Sequence, residues 1–288
     1  MNRFTTIIAC ALVLTALSGC SKEKYSGQDD AKMHFVPSLP GTKASDTAFE
    51  AGDSFGIYAV EYDNLVPAPL QLSGNWANNA EASFDGSVWK VAPEIWWKDD
   101  AAFDVIAYYP YDREPGSVDD YIFEVRGDQS ADGFTLSDLM WAKAEGVERS
   151  GGDVVLNFRH KLSRLDINLV KGEDYEGELP ETAEVRILNT VTTASMDLER
   201  GEIEKNPYGK EGSIKAHPNG VGSYSAIVVP QMLLNQVPLV EILVNDVSYI
   251  VSSKFIFESG VRHTMNVTLS SDPNKVVINI GGGISAWN

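Results

Sequence analysis

VEILVNDVSYIV, residues 240–251, places two alternating runs of β-branched and aromatic side chains on either side of Asn245-Asp246. Both central residues tolerate a left-handed backbone, so the stretch predicts a tight two-residue hairpin and, with it, an antiparallel sheet. Outward from there the same texture recurs: short β-branched and aromatic runs separated by Gly, Pro, Asn and Asp. This is the pattern of a sandwich. Strands are predicted at 54–61, 103–109, 121–125, 154–160, 165–170, 185–188, 223–229, 240–244, 247–251, 265–269 and 276–280. Helical periodicity is nearly absent; one or two turns are predicted at 137–142, where Leu136, Leu139 and Met140 share a face.

Between 154 and 169 the apolar pattern changes phase. Val154, Leu156, Phe158 and His160 stand at even positions, and Leu165, Ile167 and Leu169 at odd ones. A slip of one residue turns a strand over, so a bend or bulge is predicted near Ser163 and Arg164. It marks the handover between two β-sandwich domains, 33–162 and 163–288, with the boundary near Leu162.

The N-terminus predicts the compartment. Arg3, an apolar run from Ile7 to Leu17 and then Leu17-Ser18-Gly19-Cys20 read as a lipoprotein signal peptide over 1–19. The run is too short to cross a hydrocarbon core of roughly 30 Å as a permanent helix. Cys20 is the expected lipidation site, anchoring the chain to the outer membrane, and each buried acyl methylene contributes about 0.8 kcal/mol. Residues 20–32, polar and without period, are expected to be a tether. Cys10 leaves with the signal and Cys20 takes lipid, so no disulfide is expected and apolar burial must hold the fold. The net charge of −18 argues against nucleic acid or anionic lipid as a partner of the folded part.

No catalytic constellation is legible, and no cofactor is expected. His34, His160, His217 and His263 lie far apart, in no metal-ligand spacing. Asp99-Asp100 and Asp119-Asp120 are adjacent acids in a chain with 41 of them, which composition alone explains. His160 sits on an apolar strand face and reads as a buried, hydrogen-bonded histidine. Gly281-Gly282-Gly283 lacks the following helix of a nucleotide fingerprint and reads as a flexible break. Arg126-Gly127-Asp128 spells a short receptor-read tripeptide that also arises by chance. Trp76, Trp89, Trp96, Trp97, Trp141 and Trp287 could form a sugar-stacking platform, although core packing is the commoner use.

Five ordered segments carry a family resemblance: FEAGDSFGIY at 49–58; Trp96-Trp97 with FDVIAYYPY at 103–111; DLMWAK at 138–143; LNFRHKLSRL at 156–165; and YSAIVVPQ at 224–231. Together with the segment before Cys20 they resemble the fimbrillin-like family, the lipoprotein precursors of type V pili. The resemblance implies an all-β chain of two tandem antiparallel, transthyretin-like sandwiches with few short helical turns. It implies a structural or adhesive subunit, not an enzyme, whose partners are other fimbrial subunits, the outer membrane and a host or bacterial surface receptor. It further implies donor-strand assembly: the segment 33–40 fills its own groove until an arginine- or lysine-specific protease removes it, and a neighbour's strand then takes its place. Lys43-Ala44 is the candidate processing site; an uncleaved loop lysine is the alternative. The candidate donor strand is 275–288, with Val276, Ile278, Ile280, Ile284 and Trp287 as its apolar holds; the same segment could equally be the last strand of its own domain. Asp46-Thr47-Ala48 fits a short O-glycosylation pattern. The rival reading is a surface glycan-binding lipoprotein of a nutrient-uptake system, using exposed tryptophans.

Overall fold

The computed structural model describes residues 31–39, 49–98 and 100–287, with the side chains of 278–282 excepted. Regular structure among the described residues is almost all strand, with only single 3-10 turns beside it. The first half holds β1 (Phe35–Ser38), β2 (Ser54–Asp63), β3 (Val66–Pro67), β4 (Ala77–Phe84), β5 (Trp89–Ala92), β6 (Phe103–Tyr109), β7 (Tyr121–Glu124), β8 (Met140–Val147), β9 (Val154–Asn157) and β10 (Arg159–His160). There follow β11 (Ser163–Lys171), β12 (Glu184–Val191), β13 (Thr193–Asp197), β14 (Glu202–Lys205), β15 (Glu211–Lys215), β16 (His217–Gly220) and β17 (Ser223–Val228). The last four are β18 (Gln231–Val244), β19 (Val247–Phe257), β20 (Val261–Leu269) and β21 (Val277–Ala286).

Two larger sheets dominate. One runs β10-β8-β6-β2-β4-β5, with β3 paired to β2; the other runs β16-β17-β11-β20-β21. Smaller sheets are β15-β12-β18-β19, β14-β13-β7 and the pair β1-β9. The chain passes from the first large sheet to the second between His160 and Ser163, so a change of sheet accompanies the phase shift seen in the sequence. Strand β7 crosses over to pair with β13, Tyr121 opposite Met196. Among the described ladders all are antiparallel except β1 with β9 and β11 with β20.

Strand β6, FDVIAYY, is buried along its whole length because it is central in a sheet covered on both faces. Phe103, Val105, Ala107 and Tyr109 face one apolar cluster with Met33, Phe35 and Phe158. Ile106 and Tyr108 face a second, larger cluster with Leu165, Ile167 and Met265 from the other half of the chain. Gly56 is fixed by this packing: a Cβ there would lie 2.4 Å from the Tyr108 ring and 2.5 Å from Asn79 Oδ1. No other residue fits beside that tyrosine without displacing it.

The predicted hairpin is present. Asn245 and Asp246 both take positive φ, and Val244 lies opposite Val247. The predicted helical turns at 137–142 are corrected: one 3-10 turn covers Thr135–Ser137, and β8 begins at Met140. Met140 and Ala142 are buried while Trp141 and Lys143 are half-buried, a period of two. Partners β6 and β10 on either side override the local spacing.

Candidate functional site: the seat of the N-terminal strand

Residues 31–38 form an extended ribbon with two different partners. Its first part runs antiparallel to 95–97: Met33 N–H donates to Ile95 O at 2.8 Å, and Trp97 N–H donates to Ala31 O at 2.7 Å. Its second part turns to the edge of β9 and runs parallel to it, Phe35 opposite Val154 and Ser38 opposite Asn157. Val154 N–H donates to His34 O and Phe158 N–H to Ser38 O, each at 2.8 Å. Pro37 gives up one donor, tolerable because β1 is an edge strand.

Alternation decides what the ribbon buries. Met33 and Phe35 enter the core while His34 and Val36 face out. Beyond the ribbon, Phe49 closes the end of the cluster, its ring 5.0 Å from Trp89 in an edge-on contact and 5.8 Å from Phe158. Full burial of a Met or Phe side chain is worth about 1.5–3 kcal/mol each. The backbone bonds add about 0.5–1.5 kcal/mol apiece. A free peptide meets an association cost of about 4–15 kcal/mol, so such a ribbon stays seated chiefly because it is part of the chain.

The candidate donor segment lies along β20 of the five-stranded sheet, Val277 opposite Thr268 and Ile284 opposite His263. Val276 is half-buried against the larger cluster, Ile284 is exposed, and Trp287 is buried. The side chains of Ile278 and Ile280 lie outside the described ones, as do Cys20, Lys43 and Ala44 entirely. The Trp287 ring stacks on His160, centroids 4.1 Å apart and planes 4° apart. His160 Nδ1 is 2.7 Å from Asp138 Oδ1.

The other motifs serve the fold. Asp128 of the Arg126-Gly127-Asp128 tripeptide folds its carboxylate onto Ser130, accepting the backbone N–H at 2.9 Å and the hydroxyl at 2.5 Å. These bonds hold its pKa below the usual carboxylate range. The tripeptide lies along a paired segment, with Lys215 N–H donating to Gly127 O. Asp120 accepts from the Ser195 hydroxyl. Among the described residues no group of three or more His, Cys, Asp or Glu has metal-binding geometry. Trp97 and Trp287 are buried and Trp141 Nε1 donates to Leu198 O, while Trp76 and Trp96 expose 42% and 40% of their surface.

Sequence reading missed the polar network in the second large sheet. Asp166 accepts from Arg164 Nε at 2.9 Å, from Ser225 Oγ at 2.6 Å and from Arg262 Nε. The only signal for it was an Arg-x-Asp spacing on a strand.

Comparison with known proteins agrees with this architecture. The fimbrillin-like family matches residues 42–287. A Bacteroides uniformis protein provisionally named fimbrium subunit Fim1C is 27% identical, over 97% of this chain and 94% of that one. Similar crystal structures include cell adhesion proteins, so described provisionally, from Bacteroides ovatus and B. uniformis. The first has a TM-score of 0.73 at 21% identity, over 89% of this chain and 98% of that one. The second has a TM-score of 0.69 at 23% identity, over 90% and 99%. A fimbrial protein of B. vulgatus follows at 0.58 and 15%, over 90% and 100%. The first two of these structures thus share this fold along nearly their whole length, and because the family match spans most of the sequence, the chain belongs to the fimbrillin-like family.

Proposed function

We propose that this chain is a structural or adhesive subunit of a cell-surface fimbria, exported as an outer-membrane lipoprotein through Cys20 and assembled with other subunits by β-strand addition. The observation that carries the reading is the ribbon 31–38: an apolar strand on the edge of β9, joined to the rest of the chain through the stretch that holds Lys43. Cutting after Lys43 would leave its backbone partners and the Met33 and Phe35 pockets open to an extended strand from a neighbour. The segment 275–288 is the donor in this reading, and 33–162 and 163–288 are the two sandwich domains. Mass spectrometry of the mature N-terminus on cells tests the processing. Ala44 as first residue supports a trimmed, polymerising subunit; acylated Cys20 as the sole N-terminus contradicts trimming and leaves an anchoring role.

A second reading is favoured by Trp76 and Trp96. Trp76 Nε1 donates to Trp96 O at 2.8 Å, which fixes the ring beside a concavity of about 270 Å³ that both tryptophans line with Asn78 and Glu94. A fixed, exposed aromatic face rimmed by amide and carboxylate groups suits a sugar ring. Retardation on a polysaccharide gel that Trp76→Ala abolishes, without polymer formation, would favour a glycan-binding lipoprotein over a fimbrial subunit.

A further inference from the structure

We infer that Trp287 is a latch coupling the two ends of the chain, so that departure of the N-terminal ribbon loosens the C-terminal strand. The inference rests on the strand-addition reading and names how it is regulated. Its starting point is the exposure of the described side chains of β21 beside the burial of the residue that follows it. Val277 and Ile284 are 61% and 74% exposed, whereas Trp287, just past the strand, is 6% exposed. The indole is therefore the principal described apolar hold of the C-terminal end.

Its seat belongs to a different sheet from the strand it secures. Strand β21 is the edge of the five-stranded sheet, yet Trp287 stacks on His160, which closes the seven-stranded sheet by pairing with Met140. The imidazole is oriented by Asp138, and the backbone N–H of Trp287 donates to Gly260 O at 2.8 Å. The tip of the donor is thus clamped between the halves of the chain.

The same seat opens onto the N-terminal ribbon. A cavity of about 280 Å³ is lined by Trp287, His160, Asp138 and Met140 together with Leu39 and Phe49. Leu39 directly follows β1, and Phe49 begins the described chain that leads into β2. When the ribbon leaves, Leu39 leaves the wall, and the cavity that the indole shares, already partly open, opens further to water. Burial that holds Trp287 is then reduced, and the strand behind it loses its end clamp. Premature donation is resisted in the untrimmed chain by the same contact. Coupling of this kind is reciprocal, so loss of the indole must loosen the ribbon by the factor that loss of the ribbon loosens the indole.

Hydrogen exchange of the untrimmed chain from residue 21 onward, read peptide by peptide, tests this. Trp287→Ala should speed exchange in 31–38 as well as 277–286, and Leu39→Ala should speed 277–286 as well as 31–38, each by about 5-fold or more. The double variant should exceed neither single by the full product. Trp287→Phe, which keeps a ring over His160, should restore most of the protection. The hairpin 240–251 serves as reference. Acceleration confined to the altered end, or equal acceleration everywhere including 240–251, overturns the latch. Polymer assays on trimmed chain separate the two ideas: fibres without cross-end exchange effects remove the latch alone, and trimmed chain that never polymerises removes the strand-addition reading beneath it.

Discussion

Phe35 of β1 lies directly opposite Val154 of β9, in parallel, and both side chains are buried in the cluster that holds Met33 and Phe158. A parallel partner cannot be supplied by a short hairpin, so the ribbon is tied to its seat only by a long excursion of chain. Phe35→Ala should therefore cost about 2–4 kcal/mol in denaturant unfolding and expose 31–39 to proteolysis. Val36→Ala, on the outward face of the same strand, should cost about 0.5 kcal/mol or less.

Asp166 ties three strands together through Arg164 on its own strand, Ser225 on β17 and Arg262 on β20. Burial alone would raise its pKa, but the Ser225 hydroxyl and the two guanidinium groups outweigh it and hold the carboxyl below its ordinary value. A folded-state pKa below the unfolded one stabilises the fold at higher pH. That contribution is complete above the unfolded value, about 3.9, and is lost as pH falls through the lower folded value. Acid titration of unfolding should show stability falling below about pH 4, and Asp166→Asn should flatten that fall. Asp166→Ala should cost about 3–5 kcal/mol at neutral pH, because it strips a buried network of its carboxylate.

His263 has the opposite character. It is buried against Phe255, with ring centroids 5.2 Å apart, and its Nε2 has no hydrogen-bond partner among the described residues. Burial lowers its pKa against the weaker pull of Glu258, so the folded state favours the neutral ring. Stability is present above the unfolded value of about 6.5 and declines as pH drops through the folded one. His263→Leu should raise stability by about 1 kcal/mol at pH 5 and reduce the slope between pH 7 and 5, measured by urea unfolding.

Two buried glutamines stand in for strand backbone. Gln129 accepts from Ile227 N–H and donates to Ile227 O, both at 2.8 Å. Gln231 accepts from Val191 N–H at 2.9 Å and donates to Val191 O at 3.0 Å. Gln129→Leu or Gln231→Leu should each cost about 2–4 kcal/mol in chemical denaturation, since a buried N–H and C=O lose their partners together.

Legibility in the sequence followed the size of the side chains. Strand β6 and the β18-β19 hairpin were plain because β-branched and aromatic residues carry the period and Asn245-Asp246 sets the turn. Strand β4, ANNAEASF, was invisible: its inward residues Ala77, Ala80 and Ala82 are small because the aromatic side chains of Phe55 and Phe103 share their cluster. Strand β14 is short and largely exposed, and β15 buries only Ile214, so burial wrote little into them. The site was half legible. Met33 and Phe35 could be read as an apolar ribbon, but its parallel pairing with β9 depends on contacts more than a hundred residues away. The sequence marks Trp287 as an apolar hold at the end of the candidate donor strand; that its seat is His160 follows only from the three-dimensional arrangement.

The most direct measurement is assembly after trimming. Purified chain lacking the leader is cut after Lys43 with a lysine-specific protease and followed by size-exclusion chromatography and electron microscopy, beside a variant ending at residue 274. Strand addition predicts that β1 is shed and the intact trimmed chain grows into concentration-dependent fibres, while the shortened variant stays monomeric. A trimmed chain that sheds β1 and remains monomeric, or a shortened variant that polymerises as well as the full one, would contradict it.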